Sequence, residues 1–319
     1  HRPSSIVHRP SSIVHRPSSG KAMNLSQLPQ QLLNGIFSGS IYALFALGYT
    51  LIFGVLDILN LAHAAIFMLG ATLAWWLTVD QGWNLWLAFG MSVLVSGLLG
   101  VLLDRVAFLR LRLRGAPQLS AMISSIGMAL IFVGLSRLLF NAERKQFPYG
   151  TFPPVFFDIG TIRIRLLDVI ILAVSLAMMF GLTYLVRSTS LGRAMRAVAE
   201  NPRAAALLGV NIDKVIMQTF FIASALGGAA GILYGMSLNS IEPGMGNQVE
   251  LKGLSIIILG GMGSIPGAVI AGFLIGMVEV LSVVFGGSQL KDALVFVALF
   301  LVLLLRPQGI FGARQGRAA

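Results

Sequence analysis

Few residues in this 319-residue chain could do chemistry, and they stand out because nearly everything around them is apolar. Asn60 and His63, in LNLAHAA (59–65), are three apart and share one helical face. Polar groups in such surroundings either satisfy nearby backbone or line a passage, and both readings stand for this pair. Glu279, in LIGMVEVLS (274–282), is the most conspicuous acid inside an apolar run. It calls for a basic partner or a position near a polar mouth. Asn34 and Asp57, close to the ends of apolar runs, read as caps. The densest polar group lies in GRAMRAVAENPRAAALLGV (192–210), which holds Gly192, Arg193, Arg196, Ala197, Glu200, Asn201, Arg203 and Gly209.

Much chemistry is excluded. The chain has no cysteine, hence no disulfide and no thiolate metal site. Three of its four histidines sit at positions 1, 8 and 15, which leaves His63 alone in the body and rules out a multi-histidine metal site. No Ser/His/Asp set, HExxH, GxSxG or paired-carboxylate motif occurs, so catalysis by this chain is not expected. A phosphate-binding GxxxxGK[ST] loop is also missing. Any ATP-driven process would therefore need the nucleotide on another chain.

The elements that position these residues follow from composition. Hydrophobic residues make up 56% of the chain and charged residues 11%, with a mean hydropathy of +0.85. A soluble domain carries about 25% charged residues. Apolar runs lie at roughly 31–55, 58–79, 85–107, 118–140, 166–186, 214–238, 251–285 and 291–305, and most are near the length of a membrane crossing. The run at 251–285 is too long for one crossing and is interrupted by GGMGSIPG (260–267), so it divides into two segments joined by a turn. The expected fold is all-α: a polytopic integral membrane protein with eight or nine transmembrane or re-entrant helices, forming one domain over 23–319. Residues 1–22 are set apart. HRPSSIV occurs twice and HRPSSGKA follows, a pattern that reads as a repeated non-native leader or tag.

Charge gives the orientation. Arg105 with RLRLRG (110–115), the stretch 187–214, and the tail from Arg306 are basic, and the positive-inside rule places all three in the cytoplasm. Alternation puts 80–84, 141–165 and 239–250 outside. Arg144, Lys145, Arg163 and Arg165 in the 141–165 stretch run against that assignment. Basic cytoplasmic loops also account for the high pI without nucleic acid. Glycines four apart, as in Gly35/Gly39, Gly227/Gly231/Gly235, Gly263/Gly267 and Gly272/Gly276, make flat helix faces. Such faces serve static close packing or allow helices to slide.

The cytoplasmic stretch at about 187–213 reads as two short helices, 191–199 and 203–208, the first with Ser190 as a cap. Asn201-Pro202 forms the turn between them and Gly209 ends the second. Two kinked amphipathic helices can fit a groove on a partner, and a solvated basic loop needed only for topology is the alternative.

SLGRAMRAVAENPRAAALLGVNIDKV (190–215) resembles the cytoplasmic coupling segment of branched-chain amino acid ABC transporter permeases. NLAHAAIFMLGA (60–71) resembles that family's Asn-Leu-Ala-His-Gly motif, GGMGSIPGAVIAGFLIG (260–276) its late Gly-rich motif, and LLLRPQGIFG (303–312) its ending. The similarity runs in order over 23–312, and the compact length resembles the shorter of the two paired permease types. Ala64 departs from the pattern, standing where the family usually has Gly. The resemblance implies an importer subunit of the bacterial inner membrane that moves branched-chain or related hydrophobic amino acids by alternating access. Permeases for urea, amides or other small polar solutes in the same superfamily are the alternative. It also implies the partners: a second permease, homologous or identical, two cytoplasmic ATP-binding subunits that hold the ATP and Mg, and a periplasmic solute-binding protein. No cofactor is expected in this chain. Gly192, Arg193, Arg196, Ala197, Glu200, Asn201 and Gly209 are then expected to couple to the ATPase. Asn60, His63, Gly260, Gly261, Gly263 and Glu279 become candidates for the pathway or its gate, and Glu242 and Glu250 for docking of the binding protein. A stand-alone channel or carrier would lack a co-purifying nucleotide-binding subunit, and a membrane-embedded enzyme would need a catalytic constellation.

Overall fold

The computed structural model describes residues 28–148, 150–152, 154–160, 162–286 and 291–312. The 1–22 leader lies outside the described residues. The described residues form eleven helices in order: α1 Leu28–Leu56, α2 His63–Val79, α3 Leu85–Leu113, α4 Gln118–Phe140, α5 Leu166–Ser188, α6 Ser190–Glu200, α7 Pro202–Leu207, α8 Ile212–Leu238, α9 Met245–Gly260, α10 Ile265–Gly286 and α11 Lys291–Leu305. Among the described residues, six (α1, α3, α4, α5, α8 and α10) are long and apolar enough to cross a membrane. The shorter α2 and α11 are apolar as well.

Burial sorts these helices. The middle of α1, from Gly39 to Ile52, is buried without a break, and α8 is buried along most of its length. A helix apolar all round belongs in the centre of a membrane bundle. By contrast α3, α4 and α5 expose large apolar side chains such as Leu98, Leu130 and Phe180, which suit lipid. Antiparallel α1 and α10 pack through small residues. A Cβ on Gly39 would lie 2.8 Å from Phe273 Cα, so only glycine lets these backbones approach so closely.

One end of the bundle collects the basic segments. There Arg105 and Arg112 of α3 meet Asp213 of α8, and Gln118 Nε2 donates to Asp57 at 2.9 Å. The chain terminus closes on the α9–α10 turn, with Ile310 N donating to Leu259 O at 2.8 Å. The opposite end is built from the start of α1, the end of α8 and a two-stranded antiparallel hairpin, β1 Phe156–Ile159 and β2 Ile162–Arg165. Gln30 pairs with the Arg163 backbone in both directions, through Arg163 N to Oε1 at 2.7 Å and Nε2 to Arg163 O at 3.0 Å.

Several expectations are revised. The all-α expectation holds, with the hairpin as one small β addition. The apolar run 58–79 is helical only from His63, because Asp57 takes a positive φ of 55° and 57–60 has no regular secondary structure. The 239–252 stretch is not a simple loop, since α9 begins at Met245. Division of 251–285 at its Gly-rich turn is observed, with Gly261 and Gly263 at φ of 96° and 83°. The four outer basic residues that run against the positive-inside rule have local partners. Arg144 pairs with Glu242, Lys145 stacks over Trp75, Arg163 pairs with Asp158, and Arg165 grips Asp168. The Asp168 hydrogen bonds push the Arg165 guanidinium above its ordinary pKa.

Candidate coupling surface and transport pathway

The 190–213 segment is assembled by caps that the sequence carries in plain view. Thr189, rather than Ser190, caps α6: its Oγ1 accepts from Gly192 N at 3.1 Å. Asn201 Oδ1 accepts from Ala204 N at 3.0 Å and starts α7, with Pro202 in its first position, where a missing N–H costs nothing. Gly209 ends α7 at φ 84°, and Asn211 caps α8 through Lys214 N at 3.0 Å.

Within α6, Gly192, Met195 and Val198 are buried on the bundle, whereas Arg193, Arg196 and Glu200 are exposed and Ala197 is intermediate. Besides Asn201 and Gly209, which start and end α7, two more of the expected partner contacts have work inside the subunit. Any side chain at Gly192 would strike the Leu185 and Val186 carbonyls, so this glycine seats α6 on the end of α5. Arg196 turns its guanidinium back to Val186 O, satisfying a carbonyl at a helix C-terminus. Arg193, Glu200, Asn201 and Arg203 remain outward. The reading from charge missed Leu207 and Leu208, which are 89% and 83% exposed at the tip of α7. Their signal was an apolar pair at the end of a polar amphipathic stretch.

Gly260, Gly261 and Gly263 lie at this same end. Gly263 and Pro266 share a hollow of about 280 Å³ with Met195, Arg196, Thr50 and Gly54. The α6–α7 segment thus abuts the α9–α10 turn. Beside it, Asp213 in the first turn of α8 is bridged to Arg105 at 2.7 Å and to Arg112 at 2.9 Å, and Arg112 also reaches buried Asp104 at 3.0 Å. Asp104 and Arg105 begin a π-helical turn, Asp104–Phe108, inside α3.

Asn60 and His63 come together deep in the bundle. Asn60 Oδ1 accepts from Ala62 N at 3.2 Å, and His63 N donates to Asn60 O at 3.1 Å, which turns the chain into α2. The imidazole is fully buried between the Phe45 and Tyr49 rings, each 4.9 Å away between centroids, and its Nε2 lies 3.2 Å from Phe45 O. A Cβ at Gly48 would come within 2.5 Å of the ring and one at Gly227 within 2.6 Å. Gly48 lies in the second half of α1 and Gly227 near the middle of α8, so α2 begins inside the bundle. Among the described residues, Asn60 Nδ2 and His63 Nδ1 find no hydrogen-bond partner.

A second helix begins at that depth. Gly246, in the first turn of α9, packs against the Ala64 backbone and methyl, so the methyl carried by Ala64 is accommodated by a glycine opposite. Tyr49 Oη donates to Glu250 Oε1 at 3.2 Å. Glu250 therefore belongs to this inner junction, and its expected place on an outer docking loop is revised. Glu242 stays at the far end, on Arg144 at 3.4 Å. Glu279 has the basic partner its surroundings demanded: Lys252 Nζ lies 2.6 Å from its Oε1, 3.5 Å from Asp292 and 3.3 Å from Tyr42 Oη. Lys252, Asp292 and Asp213 were passed over because each lies at the edge of a long apolar run.

Membrane-length helices, two shorter helices that start inside the bundle, and an exposed polar segment at the basic end define a multi-pass membrane transport subunit rather than an enzyme. Residues 31–304 match the family described as "Branched-chain amino acid transport system / permease component". The chain belongs to this family, the permease components of ATP-binding-cassette importers, in which partner subunits hydrolyse ATP. It is similar to the high-affinity branched-chain amino acid transport system permease protein BraD of Pseudomonas aeruginosa, with 37% identity over 296 residues, covering 89% of this chain and 95% of the relative. It is also similar to LivH of Escherichia coli K12, at 34% identity over 294 residues with the same coverage. The ribose import permease protein RbsC of Haemophilus influenzae is a more remote relative at 22% over 276 residues, covering 83% of this chain and 82% of that one. No solved structure matches the chain at a significant level.

Proposed function

We propose that this chain is the shorter of two paired permeases in an importer of branched-chain amino acids at the bacterial inner membrane. Its basic end would face the cytoplasm, where two ATP-binding subunits dock, and a periplasmic solute-binding protein would deliver substrate at the hairpin end. The observation that carries this reading is the α6–α7 segment: buried on one side against α5 and the bundle, it presents Arg193, Glu200, Arg203, Leu207 and Leu208 outward. A charged rim around an apolar tip is the form of a helix that inserts into a partner's groove. The names of the curated relatives support the substrate class.

The passage is proposed along the first turns of α9. Asn247 and Gln248 are exposed and Glu250 half-buried, near the contact of Gly246 with Ala64 inside the bundle. Amides at that depth cannot face hydrocarbon without large cost. That face therefore suits a passage shared with the second permease. ATP and Mg would be bound by the partner subunits, and this chain would hold no cofactor.

The test is co-purification of the ATP-binding subunits with the wild-type chain and with Leu207→Asp/Leu208→Asp, together with leucine uptake in cells. The proposal expects capture and uptake with the wild type and loss of both with the variant. Uptake that persists without any nucleotide-binding partner would instead assign a stand-alone carrier.

A further inference from the structure

The hollow of about 280 Å³ beneath α6 is walled by α1, the end of α5, α6 and the α9–α10 turn. One polar group in it is unaccounted for. Thr50 of α1 lines the hollow and is 1% exposed, and its Oγ1 finds no hydrogen-bond partner among the described residues. Hydroxyls inside apolar helices usually bond back to the carbonyl one turn earlier. Thr72, Thr78 and Thr219 do so here, and Thr50 does not. A buried hydroxyl left in that state is a donor for something that enters the hollow.

The charged lining is of one sign. It consists of Arg187 and Arg196, and no acidic side chain lines the hollow. Arg187 is exposed and makes no ion pair among the described residues. The first residues of α10, Ile265 and Pro266, also border it, so the positive end of that helix adds to the two guanidinium groups. The carbonyl end of α5, which would oppose an anion, is covered. Arg196 donates to Val186 O, and Thr189 Oγ1 donates to Leu185 O at 2.6 Å. Leu51, Val55 and Ile265 make the rest of the wall apolar. The volume lies just below that of sites for drug-sized ligands, which leaves room for a small acid.

We propose that this hollow binds a small branched aliphatic carboxylate at the basic end of the subunit. The carboxylate accepts from Thr50 Oγ1 and meets the Arg187 guanidinium, and the branched tail lies on Leu51 and Val55. An intact amino acid fits less well, because nothing acidic is present to take its ammonium group. Branched-chain amino acids that have lost the amino group have the required form. Bound there, the acid braces α6 against the α9–α10 turn and resists displacement of the α6–α7 segment. Binding depends on the hollow alone, whereas the effect on transport rests on the importer reading and on α6–α7 as its coupling segment.

The absence of native cysteine provides the test. Ala199→Cys places a thiol on the exposed rim of the hollow and is a small change. The assembled importer is reconstituted in nanodiscs without nucleotide and exposed to a hydrophilic maleimide, with label read on this subunit alone. 4-Methylpentanoate is expected to slow labelling several-fold, L-leucine less, and isopentylamine and inorganic phosphate not at all. Adding Thr50→Val or Arg187→Gln should remove the protection. In proteoliposomes, the same acid on the side of the ATP-binding subunits should slow leucine uptake several-fold, and Thr50→Val should resist it. The site is overturned by no labelling, by no protection from the acid, or by equal protection from isopentylamine, phosphate or leucine. Protection with unchanged uptake would overturn the brace. A wild-type complex that takes up no leucine without the acid would count against the importer reading itself.

Discussion

Arg105 Nη1 lies 2.7 Å from Asp213 Oδ2, tying the end of α3 to the first turn of α8, immediately after the coupling segment. Arg112 closes on the same carboxylate at 2.9 Å. A displacement of α6–α7 would therefore reach α8 directly and α3 through two guanidinium groups. Both partners are partly exposed, so the bridges add little to folding stability. Their value would lie in transmission, where coupling energies are of about 1–3 kcal/mol. Asp213→Asn is expected to leave expression and thermal stability near wild type while lowering leucine uptake about tenfold at preserved ATPase activity. Parallel loss of uptake and ATPase activity would show that the bridge serves assembly instead.

The imidazole of His63 fills a space left by two missing side chains. Gly227→Ala would place a methyl 2.6 Å from the ring, and such overpacking costs about 1–3 kcal/mol. A lowered melting temperature in detergent is the expected result, with partial recovery when His63→Ser is added. A single substitution that melts like the wild type would mean that the ring can move aside.

Much of this architecture could be read from the sequence, and the rest had physical reasons for being hidden. Run length and Gly-rich interruptions located the crossing helices. Asn201-Pro202 placed the α6–α7 kink correctly, because capping and proline geometry are local. The starts of α2 and α9 inside the bundle were not visible, since Ile58 and Leu59 continue the apolar character of the run and Glu250 looked like a loop acid. Long-range partners were hidden for the same reason. Nothing near Lys252 in the chain announces Glu279, 27 residues on. Arg196 shows the limit of charge counting: an exposed arginine on α6 spends its guanidinium on its own subunit's Val186 carbonyl.

The Lys252–Glu279 pair predicts an asymmetry between single and double substitution. Both side chains are about nine-tenths buried. Removing one partner of such a pair leaves an uncompensated charge and costs about 3–5 kcal/mol, whereas replacing both with neutral groups of similar shape is close to neutral. Lys252→Met should thus express poorly and melt early, and Lys252→Met/Glu279→Gln should regain most of that stability. Equal damage from both variants would argue against a pair that acts as a unit.

Leu207 and Leu208 offer the cleanest separation of folding from partnership. At 89% and 83% exposure they contribute almost nothing to the packing of this subunit, and surface substitutions of that kind usually change stability by within about 0.5 kcal/mol. Leu207→Asp/Leu208→Asp is therefore expected to leave the melting temperature of the isolated chain unchanged. In a partner's groove the same change would bury two carboxylates against apolar walls, which binding cannot tolerate. Thermal melting of the purified chain beside quantitative capture of the ATP-binding subunits checks both halves. Unchanged stability with unchanged capture would move the contact from the α7 tip to the outward charges Arg193, Glu200 and Arg203.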